Sequence, residues 1–294
     1  RMEEGARPTV WLPLPRCCLA VAGLFVIRSN AWKARRPRAP QKHAALITLG
    51  GVAAILLLWD LVVRWADYPT FLLPSPTAVA TRFGAAWRQG ILLRHTLVTL
   101  REVFGGLALG LSTATVLGYL LAKSRRLERL LAPYLVASQA IPVVALAPLL
   151  VIWFGPGIIS KILICSLIVF FPVLINTVVG LREVPQDLRD LMRSLKANRF
   201  QTFWKLEIPA ALSIFLGGLR IGATLSVIGA VVGEFVGADR GLGFLINVGR
   251  GQYDTALVFV AVITLAVIAM TLYGLVLLIE TQVLSWQSWR DEVK

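Results

Sequence analysis

The sequence predicts an all-α polytopic membrane protein with about six transmembrane helices. Three observations carry this. Hydrophobic residues make up 57% of the 294-residue chain and charged residues only 16%, whereas soluble domains carry about a quarter charged. Mean hydropathy is +0.73, more apolar surface than one water-soluble core hides. Apolar runs of about 20 residues recur along the chain, the length a helix needs to cross a bilayer. The same composition excludes disordered, collagen-like and disulfide-scaffold classes.

The elements follow in order. Residues 1–43 form a basic N-terminal tail. Its apolar stretch 17–27 is too short to span and is followed by Lys33, Arg35, Arg36 and Arg38, with no small-residue cleavage site. We read this tail as non-native or as a loosely ordered extension; a cleaved signal is the alternative. Residues 44–282 form one six-span domain, with spans at 44–63, 103–122, 130–154, 157–180, 209–236 and 255–280. Pro142, Pro148 and Pro172 fall inside spans three and four, which bundles tolerate when neighbours satisfy the freed carbonyls. Gly106/Gly110 and Gly218/Gly222 have the spacing of close helix packing. Residues 283–294 form a short tail, with Trp286 and Trp289 suited to a membrane interface.

The net charge of +14 would suggest nucleic acid in a soluble protein. Here placement explains it. With the N-terminus inside, the inner loops and tails carry 21 Lys and Arg and the outer loops 7. This positive-inside pattern puts both termini in the cytoplasm.

The reactive residues are few. Cys17, Cys18 and Cys165 form no C-x-x-C, and two histidines, His43 and His95, support no metal site. No His, Asp and Glu cluster suggests a membrane enzyme. No G-x-x-x-x-G-K-[ST] is present, so the chain does not cradle nucleotide phosphates by that route. The chain reads as a non-enzyme.

The inner loop 181–208 is too long for a simple turn. Leu188, Leu191, Met192 and Leu195 recur at helical spacing, Pro185 can open that helix, and Asn198 can end it in the left-handed conformation. A second short helix is expected over 199–207, with Pro209 starting the next span. Two such amphipathic helices suit the headgroup layer, a solvated basic loop, or a docking surface for a partner protein.

This loop resembles the signature loop of ATP-binding-cassette (ABC) importer permeases: E-A-A, three residues, Gly, nine residues, Ile, one residue, Leu-Pro. Alignment on Pro209 puts Asp190 at the Glu, Leu191 and Met192 at the alanines, Lys196 at the glycine, Leu206 at the Ile and Ile208 at the Leu. From about residue 70 to 289 the chain resembles the nitrate/sulfonate/taurine group of binding-protein-dependent permeases. The stretches are LLPSPTAV (72–79), IPVVALAPLLVIWFGPGIISKI (141–162), FFPVLINTVVGL (170–181) and GAVVGEFVGADRGLGFLI (229–246). The third-span text is most similar to permeases for thiamine pyrimidine precursors or riboflavin.

The resemblance implies the type I importer fold, in the bacterial inner membrane. It implies two cytoplasmic ATPase subunits carrying ATP and Mg²⁺, with no cofactor in this chain. It implies an extracytoplasmic solute-binding protein and a second permease copy, expected to be identical. Asp190, Leu191, Met192, Leu195, Lys196, Ala197, Asn198, Phe200, Phe203 and Pro209 would form the ATPase-docking loop. Ser138, Gln139, Asn176, Thr177, Arg220, Ser226 and Glu234 are the polar candidates for the solute path, since polar groups at membrane depth face a bundle interior or a cavity. For Gln139 and Asn176 the alternative is interhelical hydrogen bonding. For Glu234 it is pairing with Arg220 or Arg240. Asp239, Arg240 and Gly241 would contact the binding protein, or form a turn needing positive φ at Gly241 or Gly243. Arg101 and Glu102 read as a local charge pair. A stand-alone secondary transporter is the alternative function; such proteins often show internal repeats, and none is evident here.

Overall fold

The computed structural model describes residues 41–65 and 69–284. The tail 1–40, and Trp286 and Trp289, lie outside the described residues. Among those described, all regular structure is helical: α1 Gln41–Trp65, α2 Pro76–Arg88, α3 Ile91–Lys123, α4 Arg125–Gln139, α5 Val143–Phe154, α6 Ile158–Arg182, α7 Gln186–Ser194, α8 Arg199–Thr202, α9 Ile208–Gly237, α10 Leu242–Gly251 and α11 Thr255–Val283. A π-helical turn, Phe203–Glu207, joins α8 to α9.

The chain divides into two units, residues 1–58 and 59–294. The first holds most of α1, the run read as span one. In the second, α3, α6, the continuous 39-residue helix Arg199–Gly237 and α11 are each long and apolar enough to cross a membrane. α4 and α5 add a fifth crossing if counted as one span. The all-helical polytopic class stands, with two corrections. The single third span over 130–154 is two helices meeting at 93°. Pro142 has no N–H to continue α4, and it biases Ile141 away from helical angles. The second span starts at Ile91 rather than near 103.

Two short helices went unread. α2 is started by Ser75, whose hydroxyl accepts from the Ala78 amide at 3.2 Å, with Pro76 in the first turn. α10 follows the Gly241 turn. Arg82 on α2 donates to Asp254 at 2.8 Å, and Asp254 also caps α11 by accepting from the Leu257 amide at 3.0 Å. One carboxylate thus ties α2 to the start of α11. Val79, Ala86, Leu92, Leu242, Leu257 and Val260 fill the core between them.

α6 runs between α3 and α9. The contact is made by glycine: a side chain on Gly106 would overlap Cβ of Cys165, and one on Gly229 would sit 2.8 Å from the Cα of the same residue. Gly118 faces Thr177, Gly218 faces Asn176 and Gly222 faces Val169 and Val173. Lipid tails are as apolar as leucine, so helices associate here through packing alone, and small residues maximise it. Both pairs singled out by spacing lie in these seams.

Overpacking the seam is costly. Gly106→Val should destabilise the detergent-solubilised chain by about 1–3 kcal/mol. Gly217→Ala, with nothing within 4 Å of the added carbon, should be neutral or stabilise by up to about 1 kcal/mol. Thermal unfolding of the two variants side by side checks this; equal midpoints would refute the seam.

Candidate functional site

The segment between α6 and α9 is built from local signals. Lys196 has φ of 53°, in the left-handed region. The Ala197 amide donates to the Met192 carbonyl at 3.0 Å and the Lys196 amide to Arg193 at 2.9 Å. These two bonds are a Schellman termination of α7, with Lys196 at the position glycine usually holds. Asn198 does not supply the left-handed residue. It has extended angles and caps α8: its side chain accepts from the Gln201 amide at 2.7 Å, and Gln201 accepts from the Asn198 amide at 2.9 Å. The N-x-x-Q spacing of this capping box was legible in the sequence.

The second short helix is not separate either. α8, the π turn and α9 form one backbone. Pro209 has no N–H for the Lys205 carbonyl, and the Ile208 amide bonds back to Phe203, five residues earlier. Leu191, Leu195, Phe200 and Trp204 are more than half exposed on this segment. Asp190 is exposed and pairs with Arg193 at 2.9 Å, Met192 and Ala197 are half-buried, and Phe203 stacks edge-on to Tyr119 at 5.1 Å.

Three polar contacts fasten this end. Arg189 donates to the Leu181 carbonyl at 2.8 Å, holding α7 to the end of α6. Arg182 donates to Glu128 at 2.7 Å, joining α6 to α4. Lys123, the last residue of α3, pairs with buried Glu207 in the π turn. Beside it lies an apolar cavity of about 400 Å³, lined by Tyr119, Leu120, Thr177, Phe203, Ile208 and Phe215 among others.

The other path candidates are dispersed. Ser138 and Gln139 end α4 at the 93° break; Gln139 is exposed, and Ser138 donates to Leu135 at 2.8 Å. The Asn176 side chain donates to the Pro172 carbonyl at 2.8 Å and packs on Gly218. Thr177 donates to Val173 at 2.7 Å, packs on Gly118 and reaches the cavity. Ser226 is fully buried, donates to Ala223 at 2.8 Å, and its carbonyl faces the Cys165 sulfur at 3.3 Å. Arg220 pairs with Glu280 of α11 and lies 5.5 Å from the Tyr273 ring centroid. It therefore does not pair with Glu234, and neither does Arg240, which lies 3.8 Å from Asp239.

Glu234 sits instead in a buried network at the opposite end of the bundle. It accepts from the Thr99 hydroxyl at 2.6 Å and from the Gly243 amide, and the buried Glu102 lies beside it. Thr99 in turn accepts from the Leu242 amide at 2.9 Å, and His95 Nδ1 accepts from the Gly241 amide at 2.9 Å. Gly241 has φ of 117°, and a side chain there would overlap the Glu234 carboxyl. Gly243 lies within α10 and needs no positive φ. Glu102 is not paired with Arg101. It is buried, as adjacent helical residues diverge by about 100°. Lys161, buried beside Glu102 and Glu234, donates to the Pro156 carbonyl. Sequence reading missed this network. The available signal was His95, Thr99 and Glu102 at four- and three-residue spacing, one polar stripe on an apolar helix. Asp239 and Arg240 are exposed next to it.

Residues 114–285 match the family described as binding-protein-dependent transport system inner membrane component. The chain belongs to this family. It is 50% identical over 234 residues to a riboflavin transport system permease protein of Chloroflexus aurantiacus, covering 80% of this chain and 87% of that protein. It is 36% identical to a formylaminopyrimidine transport permease protein of Halalkalibacterium halodurans, covering 79% and 92%. It is 30% identical to the taurine transport system permease protein of Escherichia coli, covering 80% and 87%. The protein is an ABC importer permease, of a family of transport proteins rather than enzymes. The family implies an ATPase and a solute-binding protein as the permease's partners, and an inner-membrane site.

Two predictions follow from the local geometry of the permease. Lys196→Gly removes a left-handed strain of about 1 kcal/mol. Amide exchange over residues 186–202 should slow; faster exchange would contradict the strain assignment. Thr99→Val leaves the Leu242 amide and a Glu234 oxygen unpaired, which costs about 1–3 kcal/mol. Exchange should then rise at the Gly241–Leu245 amides, and an unchanged rate there would rule the network out as a fastening.

Proposed function

We propose that this permease imports a small heteroaromatic solute of the flavin or pyrimidine class. It would work as one of two identical copies around a central path, powered by ATPases docked on the loop 181–208. The loop carries the proposal. Leu191, Leu195, Phe200 and Trp204 expose apolar side chains on a segment rigidified by a Schellman turn and a capping box. Such a surface on a polar loop marks a protein interface. Asp190, Met192, Lys196, Ala197, Asn198 and Phe203 complete it, and Pro209 sets the π turn through which it continues into α9. The six Lys and Arg of 181–208 and the four of 123–129 support this end facing the cytoplasm, and the positive-inside split of the sequence supports both termini lying there too.

The solute class rests on the relatives. Identity is 50% to the riboflavin permease and 36% to the formylaminopyrimidine permease, but 30% to the taurine permease. Ser138 and Gln139, at the α4–α5 break, are the path residues left most open; Asn176, Thr177, Arg220, Ser226 and Glu234 would shape the path from within the helix contacts. Asp239, Arg240 and the Gly241 turn would meet the binding protein. The chain binds no nucleotide itself; ATP and Mg²⁺ belong to the ATPase.

The test is co-expression with an ABC ATPase and a solute-binding protein from the same genome, purification by a tag on the permease, and uptake into vesicles. The ATPase should co-elute, and Ala197→Glu, which places a charge among the docking side chains, should abolish co-elution. Riboflavin or a pyrimidine should be taken up on ATP addition, with taurine no competitor. Uptake without any ATPase would overturn the reading in favour of a stand-alone transporter, and taurine uptake would overturn the solute class.

A further inference from the structure

The π turn is the soft point of the helix that would carry force from the docking loop. The helix is continuous from Arg199 to Gly237. At Phe203–Glu207 its hydrogen-bond ladder is interrupted at Pro209 and turns to the wider π pattern, the Ile208 amide bonding to Phe203 five residues earlier. Pushed at α8, such a helix bends there unless something braces it.

The brace is the last turn of α3. Phe203 opens the π turn and meets the Tyr119 ring edge-on at 5.1 Å. Glu207 closes it and pairs with Lys123. The Lys123 ammonium also lies 5.6 Å from the Tyr119 ring centroid. Glu207 is 3% exposed, and its second carboxylate oxygen has no partner among the described residues. A buried carboxylate held by one cation is a stiff joint, because separating the two leaves an unpaired charge in an apolar site. The cavity of about 400 Å³ lies between α3, α6 and the turn, lined by Tyr119, Leu120, Thr177, Phe203 and Ile208, so apolar packing does not fill this joint and the Lys123–Glu207 pair is what ties the turn to α3.

We propose that Lys123 and Glu207 are positioning residues for coupling: they lock the π turn to α3, so that displacement of the loop moves α3 and α9 together instead of bending the chain at Pro209. This rests on the ATP-driven reading above. In that reading the loop receives the force, and the pair decides whether it reaches the spans.

Lys123 is the residue to vary, since its side chain is 45% exposed while that of Glu207 is 4% exposed. The complete importer, with permease, ATPase, binding protein and riboflavin, is reconstituted, and solute moved per ATP hydrolysed is measured. Lys123→Met should retain ATPase co-elution while transport per ATP falls about tenfold, within the range that coupling between sites produces. Lys123→Arg, which keeps the charge, should restore most of the ratio. The swap of Lys123→Glu with Glu207→Lys in one chain should exceed Lys123→Glu alone. An unchanged ratio in Lys123→Met overturns the proposal, as does an equal fall in Lys123→Arg. Loss of the ATPase from Lys123→Met also overturns it, because the pair would then act on docking. If the unsubstituted permease retains no ATPase, the ATP-driven reading itself fails and this inference falls with it.

Discussion

The close approach of α6 to α3 and α9 is the constraint on which the second unit depends. Cys165 is gripped between Gly106 and Gly229, where either glycine's replacement would collide with it. In a bilayer no hydrophobic force draws helices together, so this contact supplies the association. It also removes slack. Where the glycines bring them into contact, the three helices shift as packed bodies rather than deform.

The polar groups sort themselves around that seam. Thr177 and Asn176 lie opposite Gly118 and Gly218, and both hydrogen-bond to carbonyls of their own helix. Satisfied in this way, they occupy helix contacts at little cost. At one end, His95, Thr99 and Glu234 clasp the Gly241 turn to α3. At the other, Lys123–Glu207, Arg182–Glu128 and Arg189 fasten the loop and its flanks. The middle is held by shape and the ends by hydrogen bonds and charge.

The loop shows how a departure from a family motif is absorbed. Lysine at the glycine position adopts the left-handed angle itself, at φ of 53°. The backbone demand is set by two Schellman hydrogen bonds and the capping box that follows, not by the residue's identity. A local strain of about 1 kcal/mol is small against those contacts. The turn therefore persists without its usual residue.

Composition and periodicity by themselves determined the membrane class, most span positions, the packing glycines and the amphipathic loop, because each is a property of a single helix and its own sequence. The capping box of Asn198 and Gln201 and the stripe His95, Thr99, Glu102 were equally local, and were legible though passed over. Partners were not. Glu234 had Arg220 and Arg240 as cations nearby in sequence, yet it accepts from Thr99 on a helix far along the chain. Lys123 and Glu207 likewise meet only because α3 and the π turn converge. The break at Pro142 lies between these cases: proline announces a disruption, but only the folded chain shows the 93° angle between α4 and α5. A helix records which of its faces is polar; which helix that face meets is decided by tertiary packing alone.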